Sequence, residues 1–166
     1  HTLRATATDS HGGSGSATYE YVVVYDPNGG FVTGGGWINS PAGAYLADPA
    51  ATGKGKFGFV AKYKNGVLKS ETEFELEAGE FHFHAANAQW LVISGYRGQF
   101  QGTGAVEGSD HQFGFILTVI DGQVAGGGGV DRFRLRIWDM DNGNAIVYDS
   151  EIGSPAYASP TMPLGK

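Results

Sequence analysis

Apolar and polar residues alternate one for one along most of the chain. In Lys56–Lys64, Phe57, Phe59, Ala61 and Tyr63 fall on one side. Thr72, Phe74 and Leu76 oppose a row of glutamates, Glu71, Glu73, Glu75 and Glu77. Phe133, Leu135 and Ile137 oppose Arg132, Arg134 and Arg136. Successive side chains of a strand point to opposite faces, so this pattern predicts strands with one face on a core and one in water. Helical periodicity is absent over any long stretch. Strands are expected near residues 2–8, 18–25, 30–38, 55–64, 70–77, 80–85, 89–94, 97–107, 112–120, 131–138 and 144–149. The fold class that follows is all-β: an antiparallel β-sandwich or flattened barrel of about nine core strands plus an N-terminal hairpin.

The segments between these strands set the organisation. Residues 1–25 read as a hairpin around the polar Asp9–Ser16 stretch, and residues 26–30, Asp-Pro-Asn-Gly-Gly, as a junction. Residues 31–150 form the main β domain, with a long loop over 39–54, and residues 151–166 a turn-rich tail ordered by contact. Asn65-Gly66 is a strong two-residue hairpin signal. The glutamate row needs a basic neighbour, and either the arginine row or His82 and His84 can supply it. Lys56-Phe57-Gly58-Phe59-Val60 and Gln112-Phe113-Gly114-Phe115-Ile116 each set a glycine between two phenylalanines. That leaves a bare spot on the opposite face, suited to curvature or to close approach by an aromatic ring.

Composition narrows the function classes. With 28 glycines in 166 residues and no three-residue period, the chain is glycine-rich without being collagen-like. No cysteine is present, so disulfides, thiol nucleophiles and sulfur-ligated metals are excluded together. A formal net charge of −6 argues against nucleic acid and anionic membrane as partners. No apolar run approaches the roughly 20 residues of a membrane-spanning helix. The start at His1 in place of methionine is expected of a processed product or an excised fragment.

Residues 1–25, with alternating threonines, then Asp9-Ser10-His11-Gly12-Gly13-Ser14-Gly15-Ser16-Ala17-Thr18 and a valine strand, resemble the last two strands of a polycystic-kidney-disease-type repeat, an immunoglobulin-like module of bacterial surface proteins. Residues 31–150 resemble a poorly characterised bacterial domain that follows such repeats. The segments that carry this resemblance are Phe31–Ile38, Gly55–Val60, Tyr96–Gly104 and Gly129–Asp139. The resemblance implies a secreted or cell-surface location within a multidomain protein, with neighbouring domains as partners, and brings no catalytic residues with it.

Three sets of residues are candidate sites. Asp139 and Asp141, in Asp-Met-Asp-Asn-Gly-Asn, with Asp149 beyond, can offer carboxylate oxygens to calcium, although a hairpin turn uses the same residue types. His82 and His84 project from one strand face as transition-metal ligands, with His111 or Glu80 as a third. Trp37 and Tyr45 border the long loop and are the aromatic residues best placed for carbohydrate stacking. No cofactor is required by any motif, calcium being possible, and no catalytic set is visible. Gly126–Gly129 lacks the lysine and helix of a phosphate loop. The expected function is a non-catalytic structural or accessory module. The alternatives are a carbohydrate-binding module recognising surface polysaccharide, and a subunit that binds other copies of itself by exchanging the N-terminal hairpin.

Overall fold

The computed structural model describes residues 3–19 and 30–165. The all-β, antiparallel architecture is present. Its ten strands are β1 (Leu3–Thr8), β2 (Ser14–Tyr19), β3 (Phe31–Ser40), β4 (Gly53–Lys64), β5 (Val67–Leu76), β6 (Phe81–Ser94), β7 (Arg97–Val106), β8 (Phe113–Ile120), β9 (Arg132–Asp139) and β10 (Ala145–Asp149). Strands β1 and β2 make a two-stranded sheet, and β3 to β10 make one eight-stranded meander in which every strand pairs with its sequence neighbours.

The hairpin turns earlier than the sequence suggests. The Asp9 carboxylate accepts hydrogen bonds from the backbone N–H of His11 (2.8 Å) and Gly13 (2.9 Å), which tightens the loop and lets the second strand start at Ser14 in place of Thr18. The valine strand 22–24 and the junction residues 26–29 lie outside the described residues. The predicted strands 80–85 and 89–94 are one strand, β6, with register irregularities at His84/Asn87 and Ala88/Trp90. A bulged strand keeps its ladder while switching its alternation, which is why the sequence reads as two segments and why the core sheet has eight strands in place of about nine. At Asn65-Gly66 both residues have positive φ, 52° and 76°, as a tight hairpin turn requires.

The sheet curls into a half-barrel around an aromatic core. Phe57 of β4 stacks on Phe133 of β9 with centroids 3.9 Å apart, although β5 to β8 separate these strands in the sheet. Tyr148 of β10 packs on Phe74 of β5 at 4.6 Å and shares a 3.0 Å hydrogen bond with Ser40 of β3. Burial of its phenol pushes the Tyr148 pKa well up, so it remains a neutral core residue at any physiological pH. Gly34 and Gly55 make room for these rings: a Cβ at either would stand within 3 Å of the ring of Phe59 or Phe74. Two segments cross the seam between the first and last strands. Leu46 N–H donates to Val147 O and Asp149 N–H to Ala44 O, while Leu164 N–H donates to Asp131 O and Gly165 N–H to Trp37 O.

The tail covers part of the outer face. Strand β8 is buried on both sides, with Ile116 and Thr118 on the outer one. Arg134, 2% exposed, forms a two-bond pair with Asp149 (3.1 and 2.9 Å) and donates to the carbonyls of Ser154 (3.0 Å) and Pro155 (2.6 Å). Arg97 donates to Tyr157 O at 2.9 Å. The arginine row therefore holds the tail and is not the partner of the glutamate row; β6, β7 and β8 lie between β9 and β5.

Candidate functional site

The outward face of β4 to β6 carries a cluster of acidic and basic side chains, among them Lys56, Glu71, Glu73, Glu75, His82 and His84. Register places Glu73 opposite His84 and Glu75 opposite His82, so the histidines are the basic neighbours of the glutamate row. Lys56 of β4 adds ion pairs to Glu75 (3.4 Å) and Glu77 (3.7 Å), and His82 lies 4.0 Å from Glu107. Exposed pairs of this kind contribute little to stability, about 0–1 kcal/mol each. Gly58 and Ala105 leave the middle of this face low, and the resulting open depression measures about 620 Å³. Ligand atoms of Glu71, Glu73 and His84 lie within 4.8 Å of one another, and all three residues are exposed. This set takes His84 without His82, its other members being Glu71 and Glu73 of the facing strand, and neither Glu80 nor His111 belongs to it.

Asp139 and Asp141 are brought together by the turn between β9 and β10, where both oxygens of Asp139 and one of Asp141 accept hydrogen bonds. Asp139 Oδ1 accepts from the N–H of Asp141 (3.0 Å) and Asn142 (3.1 Å), its Oδ2 pairs with His111 Nδ1 at 2.7 Å, and Asp141 Oδ2 accepts from Gln112 N–H at 2.7 Å. Asp149 stands at the other end of the same hairpin, opposite Arg136, with both oxygens on Arg134. The structure does not bring it to the turn. Sequence alone could not place His111, which lies 28 residues away in the chain.

This His–Asp pair gives a pH signature. The hydrogen bond to Asp139 and the attraction of its carboxylate raise the His111 pKa, while the same bond lowers that of Asp139 against the effect of its burial. A raised histidine pKa stabilises fully below its unfolded value of about 6.5 and ceases to do so as pH rises through the folded value. A depressed carboxylate stabilises above about 3.9 and ceases to do so as pH falls through its folded value. The pair therefore supports the turn in the window between the two shifted values. Titrated by NMR, the His111 ring is expected to show a midpoint above about 6.5, and Asp139→Asn is expected to return it to the ordinary range. An unshifted midpoint in the unmodified protein would mean that the ion pair does not form in solution.

The aromatic candidates are committed to packing. Lys54 Nζ sits 4.5 Å over the Trp37 ring, and the backbone of Gly165 lies against the same indole. Tyr45 packs tilted against Phe81, with ring centroids 4.7 Å apart, and lies on Gly79. Trp37 and Tyr45 thus do not present open faces side by side. A different tryptophan does lie in a cleft. Trp138 lines an open recess of about 240 Å³ together with Tyr157, Gln101, Arg136, Asn144 and Ile146. Its indole rests on Gly114, where an added Cβ would collide with the ring. The bare spot predicted at Gly114 is therefore filled by a ring, whereas the one at Gly58 is open. The signal that could have singled out Trp138 was present: an aromatic residue on the polar side of a strand whose core side is already Phe133, Leu135 and Ile137.

Among the described residues, no helix is long and apolar enough to cross a membrane. No family model, curated protein or solved structure gives a significant match to this chain.

Proposed function

We propose that this chain is a non-catalytic accessory module of a secreted or cell-surface multidomain protein. The observation that carries this reading is where the most buried charge is spent. Arg134 and Asp149, nearly solvent-free, are turned to each other and to tail carbonyls, not to any of the surface depressions that open to solvent. The core behind them is filled by phenylalanine and tyrosine rings. Such an arrangement makes a rigid scaffold, and rigid scaffolds carry function on their surface. The extracellular placement and the neighbouring domains rest on the likeness of residues 1–25 to the end of a surface-protein repeat.

The test is light scattering across concentration, with and without calcium, together with an assay for release of reducing ends from polysaccharides. A constant monomer near 17.5 kDa in both conditions and no turnover are expected. Turnover would overturn the non-catalytic reading. Reversible growth that deleting residues 3–19 abolishes would favour strand exchange, since β1 and β2 pair with each other in a sheet of their own, outside the eight-stranded one. Growth only with calcium would make Asp139 and Asp141 ligands.

A further inference from the structure

The Trp138 recess has the makings of a binding site that the packing of the fold does not require. Outward positions on β7, β8 and β9 form cross-strand rows: Gln101, Ile116 and Arg136 in one, and Thr103, Gly114 and Trp138 in the next. Glycine in the middle of the second row lets the neighbouring indole lie down over the sheet. Trp138 is half-buried, so one side is backed by the sheet and part of the ring remains in contact with water. Tyr157 of the tail borders the recess, and Trp90 extends the first row, since it pairs with Gln101.

Polar groups of fixed geometry surround this aromatic floor. Gln101 donates Nε2 to Gln89 at 3.2 Å, which orients its amide. Asn144 is exposed at the rim, held by a turn at φ 61°. Arg136 is part-exposed, with Nε 3.8 Å from Asp149. That carboxylate already makes two bonds to Arg134, so two guanidinium groups share one negative charge, and Arg136 is the charged residue among those that line the recess. A flat aromatic face backed by planar amides suits the apolar face and ring hydroxyls of a pyranose, and a guanidinium suits a carboxylate. The recess lies below the roughly 300–1,000 Å³ of pockets for drug-sized ligands, which fits one or two sugar rings and no large enclosed substrate.

We infer that the Trp138 recess is a saccharide subsite that takes a pyranose ring bearing a carboxylate, as in a uronate-containing polysaccharide. The inference rests on the accessory-module reading and gives that module its ligand class. Trp138 supplies the stacking face, Arg136 the charge, and Gln101 and Asn144 the hydroxyl contacts.

The test is calorimetric titration of the whole chain with hexagalacturonate and with neutral cellohexaose at low and high salt. Saturable binding of the acidic hexamer, weakened by salt and at least tenfold weaker for the neutral one, is expected. Trp138→Ala should lose at least tenfold in affinity. Asn144→Gly keeps a residue suited to positive φ and removes only the rim amide, so it should weaken binding with an unchanged melting temperature. Arg136→Gln should bring the two hexamers to similar affinity. No binding by the folded unmodified chain, equal affinity for the two hexamers, or unchanged binding by Trp138→Ala would each overturn the inference. Release of reducing ends in the same samples would overturn the non-catalytic reading instead, so the two failures are read separately.

Discussion

Replacing Asp149 by alanine is expected to destabilise the protein by about 3–5 kcal/mol, the cost of leaving a buried charge without its partner. Arg134 is 2% exposed, and Asp149 accepts two of its hydrogen bonds. Without the carboxylate the guanidinium retains only carbonyl partners, which carry no opposing charge. The tail carbonyls of Ser154 and Pro155 accept from this arginine, so protection of that stretch should fall with the stability. Chemical denaturation gives the energy, and limited proteolysis of the tail gives the location. A loss below about 1 kcal/mol would place the pair among the weakly coupled surface bridges. A double replacement, Arg134→Met with Asp149→Leu, is expected to recover much of the stability, because removing both charges removes the unpaired one. The tail should stay labile in that variant, since Ser154 and Pro155 lose their donor. That divergence between global stability and tail protection separates the two roles of Arg134.

Phe133→Ala is the second large effect, expected at about 3–5 kcal/mol from lost burial and the cavity left behind. Phe133 is fully buried, stacks on Phe57 at 3.9 Å and lies 6.4 Å from Phe59. These contacts join β9 to β4 across the interior, and they hold the two halves of one sheet over each other. In a domain of this size the loss corresponds to a fall in melting temperature of roughly 6–20 °C. Phe133→Leu, which keeps most of the apolar volume, should lose markedly less. Equal losses for the two variants would mean that the ring stacking, more than its volume, holds the curl.

Much of the candidate surface can be read in the sequence as faces and not as sites. The glutamate row and the paired histidines are visible as alternation, and their mutual approach follows once β5 and β6 pair. His111 and Asp139 meet only because the residues before β8 lie beside the β9–β10 turn. Trp37 borders a long loop, the place expected of a ligand-facing residue, but Gly165 and Lys54 lie against its ring. Trp138 closes a strand whose inward residues belong to the core, and it lies on the outer face, over a glycine of the adjacent strand.

By itself, the sequence determined most strands of the main sheet, their inward and outward faces, and the tight turn at Asn65-Gly66, because alternation and turn chemistry are local properties. The tertiary structure decided how far the sheet curls, which strands meet across the core, and which outward rows are covered. Those outcomes depend on contacts between distant residues, such as Phe57 with Phe133 and Arg134 with the tail. A polar position on an alternating strand is outward by pattern, but whether water or another segment covers it is set by the path of the rest of the chain. Arg134, outward and buried, and Trp138, outward and half-covered, are the two positions where that distinction matters most.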